Sequence, residues 1–264
     1  MFPATDHHIT LLHAYVEPLP GYTTMVQMTS TAYADSVEAM AGFVKRLRDE
    51  MGASEPVPAT KVVMGLLPAV INDTCDAQRV DLIVMGTQGA GGSLFGSHAA
   101  VVAKSGRVPV LIVPQGARYK RVQRIILADD HQGISATDLH MVAELAERHG
   151  AEVVIAHVLR DPDEQPNPVV VEQYDKAFAE VRHRYTSATG PTVDVALCGL
   201  AETEEADLLA VLHRHTGFFA GLFHGSIAKQ LALHSHLPLL VLEHVGTTFS
   251  WTSNPFEGPV DTTK

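Results

Sequence analysis

Asp81-Leu-Ile-Val-Met85 runs through Gly86-Thr-Gln-Gly89-Ala-Gly-Gly-Ser-Leu-Phe-Gly96-Ser97 to Val108-Pro-Val-Leu-Ile-Val113. The same order returns as Asp207-Leu-Leu-Ala-Val211, a loop closing on Gly225-Ser226, and Leu237-Pro-Leu-Leu-Val-Leu242. A repeat far longer than a solenoid period means two like domains fused in one polypeptide, each of ordinary domain size. The question of function therefore becomes which copy keeps a usable site.

Working outward from these phrases, short apolar runs recur at Ile9–Ala14, Lys61–Met64, Leu82–Met85, Val110–Val113, Ile125–Ala128, Val153–Ala156, Val193–Leu197, Leu208–Leu212 and Leu239–Leu242. They lack the alternation of a half-exposed sheet and read as strands of a parallel sheet buried on both faces. Between them lie helical patterns. Val37, Met40, Ala41, Val44, Leu47 and Met51 share one helix face, and Leu139, Val142, Ala143 and Ala146 share another. Ser135 with Asp138 reads as an acidic capping box opening the second of these helices. Alternating strands and helices predict an α/β fold of two doubly wound, Rossmann-like parallel-sheet domains, with ligands beyond the carboxyl ends of the strands.

The Pro- and Gly-containing stretch Pro114–Arg121 sets the expected boundary, giving a first domain at 1–117 and a second at 118–244. Residues 245–264, rich in Thr, Pro, Gly and Ser, read as a disordered tail despite Trp251.

Composition narrows the function classes. With 19 Lys and Arg in 264 residues and a formal charge of −11, the chain has no basic stripe for a phosphate backbone, so nucleic acid is not an expected partner. Cys75 and Cys198 stand far apart, without the spacing of a disulfide framework or zinc knuckle. No run approaches the roughly 20 apolar residues of a membrane span, and Met1–His8 lacks the pattern of a secretory signal. A cytoplasmic protein without a membrane partner is the expectation.

The loop from Gly86 to Ser97 is the motif that carries chemistry. Its glycines let the backbone turn and approach a ligand closely, and Ser97 can cap the following helix, whose amino end attracts a phosphate. It has neither the Gly-Lys-Ser/Thr ending of a Walker loop nor the spacing of a dinucleotide fingerprint. With no Lys or Arg between Gly86 and Gly96, an anion there would rely on backbone amides and a metal ion such as magnesium.

At these residues the chain resembles the universal stress protein family in its tandem form. The likeness rests on Asp81–Met85, on Gly86, Gly89 and the closing Gly96-Ser97, on Pro109–Val113, and on Leu11-Leu-His-Ala14 and Ile125-Ile-Leu-Ala-Asp-Asp130. It spans most of residues 1–244. It implies nucleotide-binding α/β domains that hold ATP or another adenine nucleotide, dimerise through their last strand and act in stress responses; in tandem members the two halves imitate that dimer. Carried over residue by residue, it points to Asp6, Met85, Gly86, Gly89, Gly96, Ser97 and His98 in the first copy, and to Asp130, Gly225 and Ser226 in the second. Against the family pattern the first copy lacks its first β-α unit, and with it a strand that would sit centrally in the sheet.

The second copy departs in its loop. Leu212 and His215 stand where the family has glycines, and a non-glycine held at positive φ costs about 1–3 kcal/mol, so this loop takes another path. The expected function is thus regulatory binding of an adenine nucleotide at the first copy, with hydrolysis at most slow. No Ser-His-Asp order, carboxylate pair or HExxH marks a catalytic residue. Two alternatives stay open. One is a tandem interaction scaffold that binds no nucleotide, its sheets joined edge to edge through Val110–Val113 and Leu239–Leu242, with homodimerisation also open. The other is a zinc protein using His213-x-His215 and the neighbouring His224, His234, His236 and His244, although no carboxylate or cysteine is placed to complete such a site.

Overall fold

A computed structural model describes residues 8–16, 25–51, 57–87, 97–105, 108–130, 134–159, 164–165, 167–213 and 237–243. Nine strands and six helices follow one another among them. The first half holds β1 (Thr10–Tyr15), α1 (Met25–Met51), β2 (Ala59–Met64), α2 (Leu67–Ala77), β3 (Ile83–Gly86), α3 (Ser97–Ser105) and β4 (Val110–Val113). The second holds β5 (Arg124–Asp129), α4 (Ala136–His149), β6 (Glu152–Val158), α5 (Pro168–Ala177), β7 (His183–Ala188), α6 (Val193–Thr203), β8 (Leu208–His213) and β9 (Leu239–Glu243). The expected tail at 245–264 lies outside the described residues.

Seven strands form one sheet in the order β3-β4-β9-β8-β5-β6-β7. Within each half the pairing is parallel, and the halves meet where β4 pairs antiparallel with β9, Val110 opposite Val241, Leu111 opposite Leu240 and Ile112 opposite Leu239. The edge-to-edge junction read from the two apolar runs is therefore present. Burial explains it: Val110, Leu111, Ile112, Leu239, Leu240 and Val241 are all buried, so side chains on both faces hold the seam as well as its ladder bonds.

β1 and β2 form a separate parallel pair. In the second half the order β9-β8-β5-β6-β7 puts β5 at the centre; among the described residues the first half pairs β3 with β4 and β1 with β2, and no strand joins the two pairs. Among the described residues the first half thus has no counterpart of β5. β6 is buried along most of its length, whereas β1 is only half-buried.

Two cores flank the large sheet. On one face Ile126, Ala128, Val154, Leu197, Leu209 and Val241 join Ile71, Val102 and Ile112, a cluster shared by both halves, with Leu12, Ile83 and Met85 packed against it. On the other, Ile125, Leu127, Val153, Ile155 and Leu240 pack under Leu139, Val142 and Leu145 of α4 and Tyr174 of α5. The Ser135–Asp138 capping box forms in both directions: the Ser135 N–H donates to Asp138 Oδ2 at 3.0 Å and the Asp138 N–H to Ser135 Oγ at 3.2 Å. Gly150 ends α4 with φ 64°, the left-handed conformation that glycine adopts without a Cβ clash.

One expected strand is corrected. Val193–Leu197 opens α6, where Ala196, Leu197 and Ala201 are buried on one helical face. The strand of that repeat is β7, His183–Ala188, whose polar sequence belongs to the outermost position of the sheet with a half-exposed surface.

Candidate functional site

The carboxyl ends of the strands carry the candidate residues. In the first half β3 ends at Gly86, and the N–H of the next residue, buried Thr87, donates to Val113 O at 3.1 Å, holding the strand exit against β4. Met85 packs into the shared core, so its part in any site is its backbone. α3 begins at Ser97, with His98 exposed in its first turn. Gly86 and Ser97 therefore stand at the two ends of the glycine loop, one on a strand exit and one on a helix amino end. Asp6, Gly89 and Gly96 lie outside the described residues.

The second half assembles a polar cluster at the exits of β5 and β6. Asp129, 5 % exposed, accepts a hydrogen bond on Oδ1 from the Tyr174 hydroxyl of α5 at 2.9 Å. His157 Nδ1 is 3.0 Å from the Asp129 carbonyl oxygen, and its Nε2 is 3.1 Å from Glu164 Oε1. Asp130 follows directly, at the carboxyl end of the strand flanked by β8 and β6. Gly225 and Ser226 lie outside the described residues. Sequence reasoning singled out Asp130 and passed over Asp129, Tyr174 and Glu164; the signal within reach was an Asp-Asp pair ending an apolar strand, where one carboxylate must turn inward and find a donor.

The motif aspartate of the second half, at the opposite end of its strand, has a structural task. Asp207, at the entrance to β8, accepts the backbone N–H groups of Gln123 and Arg124 at 2.7 and 3.1 Å and pairs with Lys120 at 2.6 Å. Burial raises its pKa, yet the Lys120 bond and the two amides outweigh it and hold the carboxyl below the ordinary range. On the same amino-end side a cavity of about 330 Å³ is lined by Arg121, Arg124, Arg182 and His149. Its arginines are engaged: Arg121 and Arg182 donate to the carbonyls of His149 and Gly150, capping α4, and Arg124 reaches Glu152 and Glu204.

Among the described residues no group of three His, Cys, Asp or Glu could hold a metal ion, and no helix is long and apolar enough to cross a membrane. His213 ends β8 opposite Glu243, while His215, His224, His234, His236 and His244 lie outside the described residues.

Comparison with known proteins follows the repeat. The model of the Universal stress protein family matches residues 3–114 and again 121–243. A universal stress protein from Archaeoglobus fulgidus superposes with a TM-score of 0.65 at 17 % identity, over 90 % of this chain and 86 % of that one. A functionally unknown protein from Pseudomonas aeruginosa gives 0.53 at 16 % identity, over 89 % and 92 %. A universal stress protein solved in complex with cAMP aligns with 47 % of this chain and 99 % of its own length, at 23 % identity and a TM-score of 0.39.

Proposed function

The chain belongs to the universal stress protein family, with two copies in tandem, and from that premise we propose that it binds an adenine nucleotide such as ATP, with magnesium, at the glycine loop of its first half. The role is regulatory binding rather than turnover. One observation carries this reading: β3 ends at Gly86 and α3 begins at Ser97, so the loop Gly86–Ser97 links a strand exit to a helix amino end. Backbone amides and the helix dipole favour an anion at such an end, and glycines keep the approach free of side chains. Met85 and Gly86 would pass the ribose by backbone alone, Gly89 and Gly96 would let the chain curve round the phosphates, and Ser97 with His98 would offer a hydroxyl and an imidazole. Asp6 would lie near the adenosine.

A second reading, a tandem scaffold without nucleotide, is favoured by a different observation. The crevice in front of a doubly wound sheet opens between two strands, and β3 has no strand on its outer side among the described residues. The β4–β9 seam supports the pairing of halves that both readings share.

Mass spectrometry of small molecules released from freshly purified protein separates the two. Bound adenine nucleotide, or a rise in melting temperature with Mg-ATP, AMP or cAMP, is the expected result. Protein that carries no nucleotide and melts at the same temperature with each of them would falsify the first reading and leave the scaffold.

A further inference from the structure

The cavity of about 330 Å³ at the amino ends of β5 and β6 has no part in the site described above. Arg121 and Arg124 reach it from the approach to β5 and from the first residue of that strand, Arg182 from the residue before β7, and His149 from the last turn of α4. Gln123 and Glu152 complete the side-chain wall, which thus holds three guanidinium groups against one carboxylate and no apolar side chain. In a chain with a formal charge of −11, positive charge is concentrated here.

The guanidinium groups are held in place without being used up. Arg121 donates through Nε to His149 O at 2.9 Å, Arg182 through Nη2 to Gly150 O at 3.0 Å, and Arg124 is anchored through Nε on Glu152 Oε2 at 3.4 Å. A guanidinium carries five N–H donors in a planar fork. Among the described residues those bonds take one donor each from Arg121 and Arg182, leaving most of both forks for a further acceptor. Neighbouring cations are already paired, Lys120 with Asp207 and Arg184 with Glu152 and Glu204. His149 adds an unused donor. A backbone N–H can only donate, so the Val122 amide at 3.3 Å makes Nδ1 the acceptor and puts the ring's proton on Nε2, which is buried without a partner among the described residues. Buried donors in folded proteins are almost all paired, so this one points the same way as the arginines.

We propose that this cavity binds a small free phosphate anion, inorganic phosphate or diphosphate. Guanidinium forks match phosphate oxygens two bonds at a time, and three of them line one wall. The volume lies at the small end of ligand sites, and the lining gives a base or an acyl chain no apolar side chain to rest on, so the ligand is compact and charged throughout. An anion shared by Arg121 and Arg182 would clasp the segment that joins the two halves to the entrance of β7. β5 stands four strand positions from β3 in the sheet, about 19 Å. The two ligands would therefore bind independently, and this site stands whether or not the glycine loop holds a nucleotide.

Isothermal titration of the full chain with sodium diphosphate, at fixed ionic strength, reads the site directly. Saturable binding is expected, and Arg121→Gln and Arg182→Gln should each weaken it roughly tenfold through the loss of a charge-assisted bond. Arg182→Lys keeps the charge without the fork and should fall between wild type and Arg182→Gln. Both arginines are exposed, so these variants should fold, and melts without ligand check that they do. Lys176→Gln removes a positive charge from α5, outside the cavity, and should leave the affinity unchanged. Inorganic phosphate should compete with diphosphate, and glycerol phosphate, the same group esterified, should compete about tenfold less well. Absence of saturable binding overturns the proposal, as does binding that both glutamine variants retain or that Lys176→Gln weakens equally. An ester that competes as well as phosphate overturns the free anion as the ligand.

Discussion

Leu111 of β4 stands directly opposite Leu240 of β9, and through that antiparallel pair the two halves share one sheet. Both side chains are buried in the same core, beneath the α4 and α5 layer of the second half. The pair therefore couples the halves energetically, and Leu240→Ala should cost about 2–5 kcal/mol, the range for a leucine deleted from a packed interior. Urea unfolding followed by circular dichroism checks the size. A loss under about 1 kcal/mol would mean that the seam collapses to fill the space and contributes little.

Asp207 makes the entrance of β8 sensitive to acid. Its folded-state carboxyl pKa is depressed, so the stability it supplies is complete above the unfolded value of about 3.9 and is lost as pH falls through the folded value. Asp207→Ala removes the acceptor of the Gln123 and Arg124 amides and should cost about 1–3 kcal/mol at pH 7. The gap between wild type and variant in denaturant titrations should narrow steadily once pH drops below about 4. A gap of equal size at pH 7 and well below the folded value would show that the charge plays no part.

What could be read from the sequence was whatever burial imposes on neighbouring residues. The runs Val110–Val113 and Leu239–Leu242 are apolar at consecutive positions because both faces are covered, and that pattern disclosed β4, β9 and their seam. The Ser135–Asp138 box was legible for the same reason: its partners are three residues apart. Val193–Leu197 misled because a short apolar run fits a strand or a helix turn equally, while β7, an edge strand, carries too little apolar signal to compete. The Asp129–Tyr174 bond joins residues 45 positions apart, and only the fold brings α5 over the exit of β5.

The outer edge of the second half titrates in the opposite sense. Burial lowers the pKa of His183, but its Nδ1 bond to Val181 O at 2.9 Å and the Asp175 carboxylate 3.0 Å from Nε2 outweigh it, and the net shift is upward. The contribution is full below the unfolded value of about 6.5 and disappears as pH rises through the folded value. The Asp175 side chain is exposed, so the pair falls within the surface range of about 0.2–1 kcal/mol. Melting temperatures of wild type and His183→Gln should differ at pH 5.5 and converge by pH 9. A difference that persists at pH 9 would assign the effect to packing of the ring against Phe178 and Tyr185.

Nucleotide, if bound, should distinguish the halves by mutation. Gly89→Val puts a β-branched side chain where the proposed site needs bare backbone, and it should abolish the Mg-ATP-induced rise in melting temperature while leaving the ligand-free melt within about 1 kcal/mol, since surface loop changes seldom cost more. Asp130→Ala, at the exit of β5 in the other half, should leave the ligand-induced rise intact. The reverse pattern would move the site to the second half, whose five strands β5–β9 give its crevice both walls. Differential scanning fluorimetry across a nucleotide titration reads both variants on one scale, because a shift of RT ln(1 + [L]/Kd) depends only on affinity and free ligand.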